Sequence, residues 1–408
     1  MARAERKTMS TAATVFPILF AISIVHLLND TMQSTVSALF PILKDSLQLT
    51  YGQIGLIAFA MNMTASVLQP IVGWSSDLKP RPLILPIGVV FTLAGVVGLA
   101  LAPNFATILL AVTAMGVGSA IFHPESSRVA YLAAGAQRGL AQSIFQVGGN
   151  IGSSLGPIMT AVLFVHIGQG GVLWFTIAAA AAIAIQAYVA RWYGNRLSQP
   201  RPAASGRARQ AGSTLASSLS GSRIFWAMVI LVFLVFSKHV YMSSITSFYT
   251  FYLIGDYGVS VQHSQWFLFA FLAASAAGTF FGGPLADRYG RRSIIWLSIL
   301  GTAPFSIALP YSNLVVSGIM CVCAGFVLSS AFSIIVVYAQ ELLPGKVGLV
   351  SGLFFGLAFG LGGLGSAVLG WIADATSIAF MMKMCAYLPL LGVMAIFLPK
   401  DRNREAAA

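Results

Sequence analysis

Residues 83–101 read LILPIGVVFTLAGVVGLAL, an apolar stretch without a single charged side chain. A run of about 20 apolar residues has the length that crosses the hydrocarbon core of a bilayer as one helix. The chain contains eleven further runs of this kind. Together they predict an all-α membrane protein with twelve transmembrane helices, near residues 16–40, 52–73, 83–101, 106–130, 139–165, 171–190, 224–253, 264–285, 293–311, 314–340, 347–372 and 378–398.

The composition supports the same fold class. Of the 408 residues, 57% are hydrophobic and only 8% are charged, whereas soluble domains carry roughly 25% charged residues. A net charge of +12 would suggest a nucleic-acid partner in a soluble protein. Here the basic residues lie in short segments between apolar runs, so we expect membrane lipid around the chain and no nucleic acid. The predicted location is the bacterial inner membrane.

The basic residues also predict the orientation of the chain. With the N-terminus inside, all but three of the 23 Lys and Arg residues fall on the cytoplasmic side; the exceptions are Lys44, Lys238 and Lys383. Cytoplasmic loops of membrane proteins carry such an excess of Lys and Arg. Both termini are therefore predicted to be cytoplasmic. The first apolar run is too long for a cleavable signal peptide and is interpreted as a retained span.

An internal repeat divides the chain into two halves. The sequence GWSSD at 73–77 closes the second run, and GPLAD at 283–287 closes the eighth, at an offset of 210 residues. The same offset aligns Gly152 in the fifth run with Gly362 in the eleventh. We therefore predict two pseudo-symmetric six-helix bundles, at 1–190 and 224–408. A cytoplasmic linker with six arginines and no acid joins them at 191–223, and a monomer suffices for such a fold.

The loop after the eighth run carries a recognisable motif. Gly283-x-x-x-Asp287-Arg288-x-Gly290-Arg291-Arg292 resembles the loop motif of the major facilitator superfamily. The copy after the second run keeps three of its positions, whereas Leu78, Pro80 and Pro82 depart from it. In that superfamily these loops act as conformational latches. The resemblance implies latch roles, weaker in the first half, for Gly73, Asp77, Arg81, Gly283, Asp287, Arg288 and Arg291.

Other segments point to drug exporters within that superfamily. The glycine stripe at 148–157 resembles the fifth-span motif of proton-coupled drug antiporters, although close helix packing alone explains it equally well. More specific segments resemble the fosmidomycin-resistance group of exporters over almost the whole chain; they lie at 26–30, 122–128, 142–150, 338–345 and 351–356. The resemblance implies export of a small anionic phosphonate drug, driven by protons.

Two acids lie well inside the spans of the first half, Asp30 and Glu125. An ionised side chain at the bilayer centre costs about 2.5–3.5 kcal/mol on insertion scales, so each acid needs a partner, a cavity or a proton. We predict that both couple transport to protons. The alternative for Glu125 is a structural ion pair with Arg128, one helical turn away.

Polar residues around these acids form the predicted substrate site. Lys238 lies deep in the seventh run, where it could pair with Asp30 or Glu125 or attract an anionic substrate. His123 precedes Pro124, so it could instead satisfy backbone freed by the proline. The predicted substrate-binding residues are His26, Asn29, Gln33, His123, Arg128, Gln146, Asn150, Lys238, His239, Tyr241 and Tyr249.

Catalytic signatures are absent from the sequence. It contains no G-x-S-x-G, no H-E-x-x-H and no phosphate-binding G-x-x-x-x-G-K-[ST] motif. We therefore predict no enzymatic activity, no cofactor, no metal and no direct use of ATP. Three functions remain open: a proton-coupled drug antiporter, an uptake symporter for an organic anion, and a membrane receptor or scaffold. The buried acids and the two matched halves favour a transporter.

Overall fold

A computed structural model of the chain describes residues 14–135, 138–198, 220–343 and 347–399. These residues are helical with no strand, and they contain twelve helices long and apolar enough to cross a membrane. The prediction of an all-α fold with twelve spans is confirmed. Spans 1 to 12 are Phe16–Ala38, Tyr51–Ser76, Ile84–Leu101, Phe105–Ala130, Ile144–Ile167, Gln169–Ser198, Gly221–Tyr257, Val261–Gly282, Arg291–Tyr311, Leu314–Ala339, Leu353–Ala375 and Ile378–Phe397.

Several spans begin at a capping residue, and the caps repeat between the halves. At the start of span 2, the Thr50 side chain accepts a hydrogen bond from the backbone N–H of Gln53. At the start of span 8, the Ser260 side chain accepts one from the backbone N–H of His263. Asn104 and Asn313 cap spans 4 and 10 in the same way. Such side chains satisfy backbone N–H groups that a helix start leaves free.

The two halves also pack their spans in the same pattern. In the first half, span 1 packs on span 5, span 2 on span 4 and span 3 on span 6. In the second half, span 7 packs on span 11, span 8 on span 10 and span 9 on span 12. Each pair in the second half is therefore a pair of the first half shifted by six spans. This is the arrangement expected of two parallel repeats related by an axis along the membrane normal.

The most extensive contacts between the halves involve two pairs of spans. Span 2 packs along span 11, and span 5 packs on span 8. Exchanging the two halves converts one of these pairs into the other. Among the described residues, one apolar cluster near the start of span 2 takes side chains from both halves, for example Phe40 and Tyr249. Toward the opposite end, each half has its own cluster among the described residues.

Prolines interrupt two of the spans that carry polar residues. Pro124 lies inside span 4, and Pro157 lies inside the helix Arg138–Met159 of span 5. A wider π-helical turn, Thr160–Phe164, follows Pro157. Span 6 continues as a helix to Ser198, so the first residues of the predicted linker are helical. Residues 199–219 of that linker lie outside the described residues.

Candidate functional site

Three ionisable side chains meet in the middle of the first half. Asp30 lies in span 1, and the Nε2 atom of His26, one turn earlier, is 3.3 Å from its Oδ2 atom. The Nε2 atom of His123, in span 4, is 3.6 Å from the Oδ1 atom of the same carboxylate. The spacing i, i+4 places His26 and Asp30 on one helix face. The tertiary fold then adds His123, so one carboxylate lies between two imidazoles.

The second nitrogen of each imidazole contacts the backbone. His26 Nδ1 lies 2.8 Å from the carbonyl oxygen of Phe145, and His123 Nδ1 lies 2.9 Å from the carbonyl oxygen of Ser119. A carbonyl oxygen only accepts hydrogen bonds, so the contact with Phe145 assigns the Nδ1 proton to the His26 ring. His123 Nδ1 also lies 3.2 Å from the Ser119 hydroxyl, which can donate or accept.

Aromatic side chains and a glycine hold His26 in place. The Phe145 ring stacks on the His26 ring at a centroid distance of 4.1 Å, and Phe122 lies 5.5 Å away. A Cβ atom at Gly149 would collide with the imidazole, so this glycine of span 5 makes room for it. The His26 side chain is 4% exposed, against 17% for Asp30 and 20% for His123. His26 is therefore sealed, whereas the other two groups are partly accessible.

Asn29 adds a neutral donor to the carboxylate. Its Nδ2 atom donates to Asp30 Oδ1 at 3.1 Å, and its Oδ1 accepts a bond from Thr92 Oγ1 at 3.4 Å. Gln33, one turn further along span 1, has a buried Nε2 atom without a hydrogen-bond partner. Asn29 therefore links Thr92 to the Asp30 carboxylate, whereas no described hydrogen bond links Gln33 to it.

Among the described residues, the same three ionisable side chains form a group that could hold a metal ion. One atom from each of His26, Asp30 and His123 lies within 4.8 Å of the others. A metal ion is therefore a competing occupant, although the sequence predicts none.

Two further predicted residues, Glu125 and Arg128, lie on span 4. Glu125 is fully buried. Arg128 donates from Nη1 to the carbonyl oxygen of Ser76 at 2.8 Å, and so it contacts the end of span 2. Roles for Glu125 in proton coupling and for Arg128 in substrate binding stay predictions.

Lys238 is buried in span 7 and contacts aromatic rings. Its side chain is 4% exposed, and its ammonium lies 5.0 Å from the centroid of the Phe332 ring. His239 packs edge-on against the same ring at 5.2 Å, and its Nε2 atom has no hydrogen-bond partner. Among the described residues, Asp30 forms its ion pairs with His26 and His123, and Lys238 takes part in neither. The Asp30 alternative for its partner is therefore not realised in this conformation.

The remaining predicted site residues are dispersed. Tyr249 shares a hydrogen bond with Ser317 at 3.1 Å, and the buried Tyr241 hydroxyl has no partner. Gln146 and Asn150 of span 5 are half-buried. Within the described chain, no hydrogen bond links Gln146 or Asn150 to the Asp30 group.

The predicted latch falls partly outside the described residues. The side chains of Asp77, Gly283 and Asp287 are among those not described. Arg288 lies over the Tyr289 ring at 5.3 Å, and Arg292 donates to the carbonyl oxygen of Ile396 in span 12 at 2.5 Å. Three further residues of the predicted latch are described. Gly73 packs near Pro124, Arg81 is exposed, and Arg291 is half-buried.

Sequence reasoning missed two contacts between the halves. Phe359 of span 11 lies 6.1 Å, centroid to centroid, from the His123 ring. Asp374, at the end of span 11, accepts hydrogen bonds from the backbone N–H groups of Tyr51 and Gly52. Asp374 could be noticed in the sequence as an acid at the end of a predicted span. Its partners Tyr51 and Gly52 could not be predicted, because they lie 323 and 322 residues away.

Comparisons with known proteins place the chain among transporters. The model of the Major Facilitator Superfamily matches residues 22–365. The chain is 53% identical over 396 residues to the fosmidomycin resistance protein of Escherichia coli (strain K12), covering 97% of this chain and 95% of that protein. It is 48% identical to the uncharacterized MFS-type transporter YfnC of Bacillus subtilis (strain 168), covering 98% of this chain and 97% of that protein.

Solved structures of the same fold are more distant in sequence. A bacterial homologue of the human lysosomal transporter Spinster, in its inward-facing and unoccupied conformation, aligns with a TM-score of 0.69. The alignment covers 95% of each chain at 17% identity, so this likeness concerns the fold alone. Together with the twelve spans, the comparisons identify a multi-pass protein of a bacterial inner membrane that transports a small molecule.

Proposed function

This chain belongs to the major facilitator superfamily, and we propose that it exports a small anionic phosphonate drug from the cytoplasm in exchange for protons. The observation that carries the proposal is the identity of 53% over nearly the whole length of a fosmidomycin resistance protein. Fosmidomycin is therefore the first substrate to test. In this proposal the chain acts as a monomer in the lipid bilayer, with both termini in the cytoplasm.

Proton coupling is assigned to the acids inside the first half. Asp30 is 17% exposed and lies between two imidazoles, an environment in which a proton can be held or released with little movement. Glu125 is fully buried in span 4. Ionisable groups this deep in a membrane mark proton or substrate pathways in transporters. One elementary charge crossing 100 mV is worth about 2.3 kcal/mol, which is enough to drive substantial accumulation or export.

Lys238 supplies the positive charge for the substrate. A phosphonate leaving water for a low-dielectric site needs a fixed cation, since its desolvation is otherwise prohibitive. Lys238 is buried near the middle of span 7 and contacts the Phe332 ring rather than a described carboxylate. Its ammonium is therefore available to an anion, with His239, Tyr241 and Tyr249 on the same span as further contacts.

A second function, uptake of an organic anion together with protons, would use the same fold and the same buried acids with the opposite coupling. If a proton must bind before the anion does, proton binding and anion binding assist each other. Exchange requires the opposite, that substrate binding releases a proton.

One experiment separates these functions. Purified protein is reconstituted into vesicles that contain a pH-sensitive dye, and fosmidomycin is added on one side. Exchange predicts that protons move against the drug, whereas symport predicts that they move with it. In cells, expression should lower fosmidomycin accumulation, and an uncoupler should restore it. Unchanged accumulation with and without the protein would exclude drug export, and a scaffold would move neither drug nor protons.

A further inference from the structure

We propose that His26, Asp30 and His123 form a reversible binding site for a divalent transition-metal ion, with Zn²⁺ as the ion to test. The sequence predicts no metal, so the site goes beyond what the residues alone suggest. Binding of the ion is independent of the proposed function, whereas the effect of the ion on transport depends on it.

The spacing of the ligand atoms suits an ion held between them. His26 Nε2 lies 3.3 Å from Asp30 Oδ2, and His123 Nε2 lies 3.6 Å from Asp30 Oδ1. Charge-assisted hydrogen bonds between such groups are shorter, at about 2.7–2.9 Å. A Zn²⁺ ion binds nitrogen and oxygen at about 2.0–2.2 Å, so neighbouring ligands of a tetrahedral ion lie about 3.3 Å apart. Both distances are closer to the separation of two ligands than to a direct hydrogen bond.

The backbone prepares both imidazoles to bind an ion through Nε2. His26 Nδ1 contacts the carbonyl oxygen of Phe145 at 2.8 Å. His123 Nδ1 contacts the carbonyl oxygen of Ser119 at 2.9 Å and the hydroxyl of the same residue at 3.2 Å. That hydroxyl can also donate, and an ion at Nε2 selects the tautomer in which Nδ1 donates to Ser119. Metal-binding histidines commonly donate their other nitrogen to a backbone carbonyl in this way.

One ligand of the site is fixed, and the other two are accessible. His26 is 4% exposed, and the Phe145 ring stacks on it. Asp30 is 17% exposed and His123 is 20% exposed. Structural zinc sites are closed by four protein ligands, whereas sites with three protein ligands keep a position open to water or another molecule. The three side chains therefore fit a site that an ion can enter and leave.

The donor set selects a transition metal over Mg²⁺ or Ca²⁺. Two imidazole nitrogens and one carboxylate suit Zn²⁺ or Fe²⁺, whereas Mg²⁺ and Ca²⁺ take oxygen ligands. Asn29 does not supply the missing oxygens, because its Nδ2 atom faces Asp30 and its Oδ1 atom accepts a bond from Thr92. Asn29 instead orients the carboxylate, as partners of metal ligands commonly do.

A bound ion and the proposed proton coupling exclude each other. The ion uses the Nε2 lone pairs of both histidines and the carboxylate of Asp30. The proposed function assigns a coupled proton to the same carboxylate, and the two cannot occupy it together. The chain with bound Zn²⁺ is therefore a blocked form, and release of the ion restores the group without any change in covalent bonds.

The first test measures Zn²⁺ binding to the full-length protein in detergent, after removal of any affinity tag. Wild type is compared with D30N and H123N, because both side chains are partly exposed and their replacement disturbs the packing less than a change at His26. H166N is the control, since His166 is exposed and lies outside the site. Calorimetry gives the affinity and the number of ions, X-ray absorption counts the imidazole ligands, and melting curves show that the variants are folded.

Wild type and H166N should bind one Zn²⁺ ion that D30N and H123N bind more than about 100-fold more weakly, a loss beyond the range for partners that only orient a ligand. X-ray absorption of wild type should show two imidazole ligands, and an excess of Mg²⁺ should not displace the ion. Equal affinity in wild type and both variants, fewer than two imidazoles in wild type, or displacement by Mg²⁺ would overturn the site.

The second test measures proton movement driven by fosmidomycin in dye-loaded vesicles. Zn²⁺ on both sides should stop this movement in wild type, and a chelator should restore it. Proton movement that continues when the site is saturated with Zn²⁺ would show that the ion does not reach Asp30 and would overturn the site. If wild type moves no protons with the drug before Zn²⁺ is added, the proposed function fails, whereas the binding result stands.

Discussion

The carboxylate of Asp374 accepts a hydrogen bond from the backbone N–H of Gly52, with 2.6 Å between oxygen and nitrogen. Its other oxygen accepts a bond from the N–H of Tyr51 at 2.8 Å. Asp374 ends span 11 of the second half, and the two N–H groups begin span 2 of the first. A carboxylate at a helix N-terminus is stabilised by the free N–H groups and by the helix dipole. This contact therefore fastens the two halves together at one end.

Glycines allow the same two spans to approach closely. A Cβ atom at Gly55 would collide with the backbone at Ser366, and one at Gly370 would collide with the backbone at Tyr51. In the proposed orientation this end faces the periplasm, where span 2 begins and span 11 ends. The apolar cluster shared by both halves lies at the same end. In that orientation, the conformation is closed toward the periplasm.

The first prediction concerns this closure. D374N should weaken the contact by about 0.5–2 kcal/mol, the range for a carboxylate at a helix N-terminus. The periplasmic end should then open more often. Spin labels at Ser46 and Thr376, in a protein without its three native cysteines, would report the opening as a longer distance. D45N is the matched control, because the exposed Asp45 side chain accepts no described hydrogen bond from the start of span 2. Identical distance distributions in D374N and wild type would contradict the prediction.

The second prediction concerns the substrate cation. K238A should reduce fosmidomycin resistance to the level of cells without the protein, because an anion in a low-dielectric site then lacks its counter-charge. K238R should keep partial resistance, since the charge is retained but the guanidinium has a different shape. Minimum inhibitory concentrations at matched expression give the measurement.

The control for this prediction is K383A. Lys383 lies over the Tyr311 ring at 5.5 Å near the start of span 12, where a lysine can extend toward the interface. Its replacement should leave resistance unchanged. Full resistance in K238A would remove Lys238 from the substrate site.

The third prediction compares two glycines at equivalent positions of the repeat. A Cβ atom at Gly152 would collide with the backbone of Leu27 in span 1, whereas the space around Gly362 is open to 4 Å. G152A should therefore destabilise the protein by about 1–3 kcal/mol, the usual cost of overpacking, and G362A should be neutral. Thermal unfolding of the purified variants in detergent measures both. Equal melting temperatures would show that spans 1 and 5 can separate without cost.

The fourth prediction concerns the loop motif that resembles a latch. D287A should lower the rate of transport while the protein remains folded, because the aspartate and the neighbouring Arg288 and Arg291 are expected to contact the start of span 11. D77A should have a smaller effect, since the motif is degraded in the first half. Fosmidomycin flux and a melting curve for each variant separate the two roles. Transport by D287A at the rate of wild type would end the latch interpretation.

The fold could be predicted almost completely from the sequence. The predicted run at 83–101 corresponds to span 3 at Ile84–Leu101, and the run at 314–340 corresponds to span 10 at Leu314–Ala339. These limits are local properties, since a helix in lipid must be apolar over a fixed length and must satisfy its own backbone. The sixth apolar run, predicted to end at 190, falls short of the end of span 6 at Ser198, because a helix can continue past its last apolar residues.

The site could be predicted only in part. The sequence identifies Asp30 and His26 as neighbours, because a spacing of four residues places both on one helix face. It offers Lys238 as one partner for Asp30, but the structure surrounds the carboxylate with His26, His123 and Asn29. Sequence alone does not rank partners from different spans, since any of several inward-facing helices could supply a charge.

By itself, the sequence determined which segments enter the membrane and that the second half repeats the first, because hydropathy and repeated motifs depend on residues close together in the chain. Only the tertiary structure decided that His123 meets Asp30 and that Asp374 meets Gly52, which is 322 residues away. Such contacts depend on how the helices pack. In this conformation spans 2 and 11 pack closely and spans 1, 4 and 5 enclose His26, so the packing selects the partner of each buried polar group.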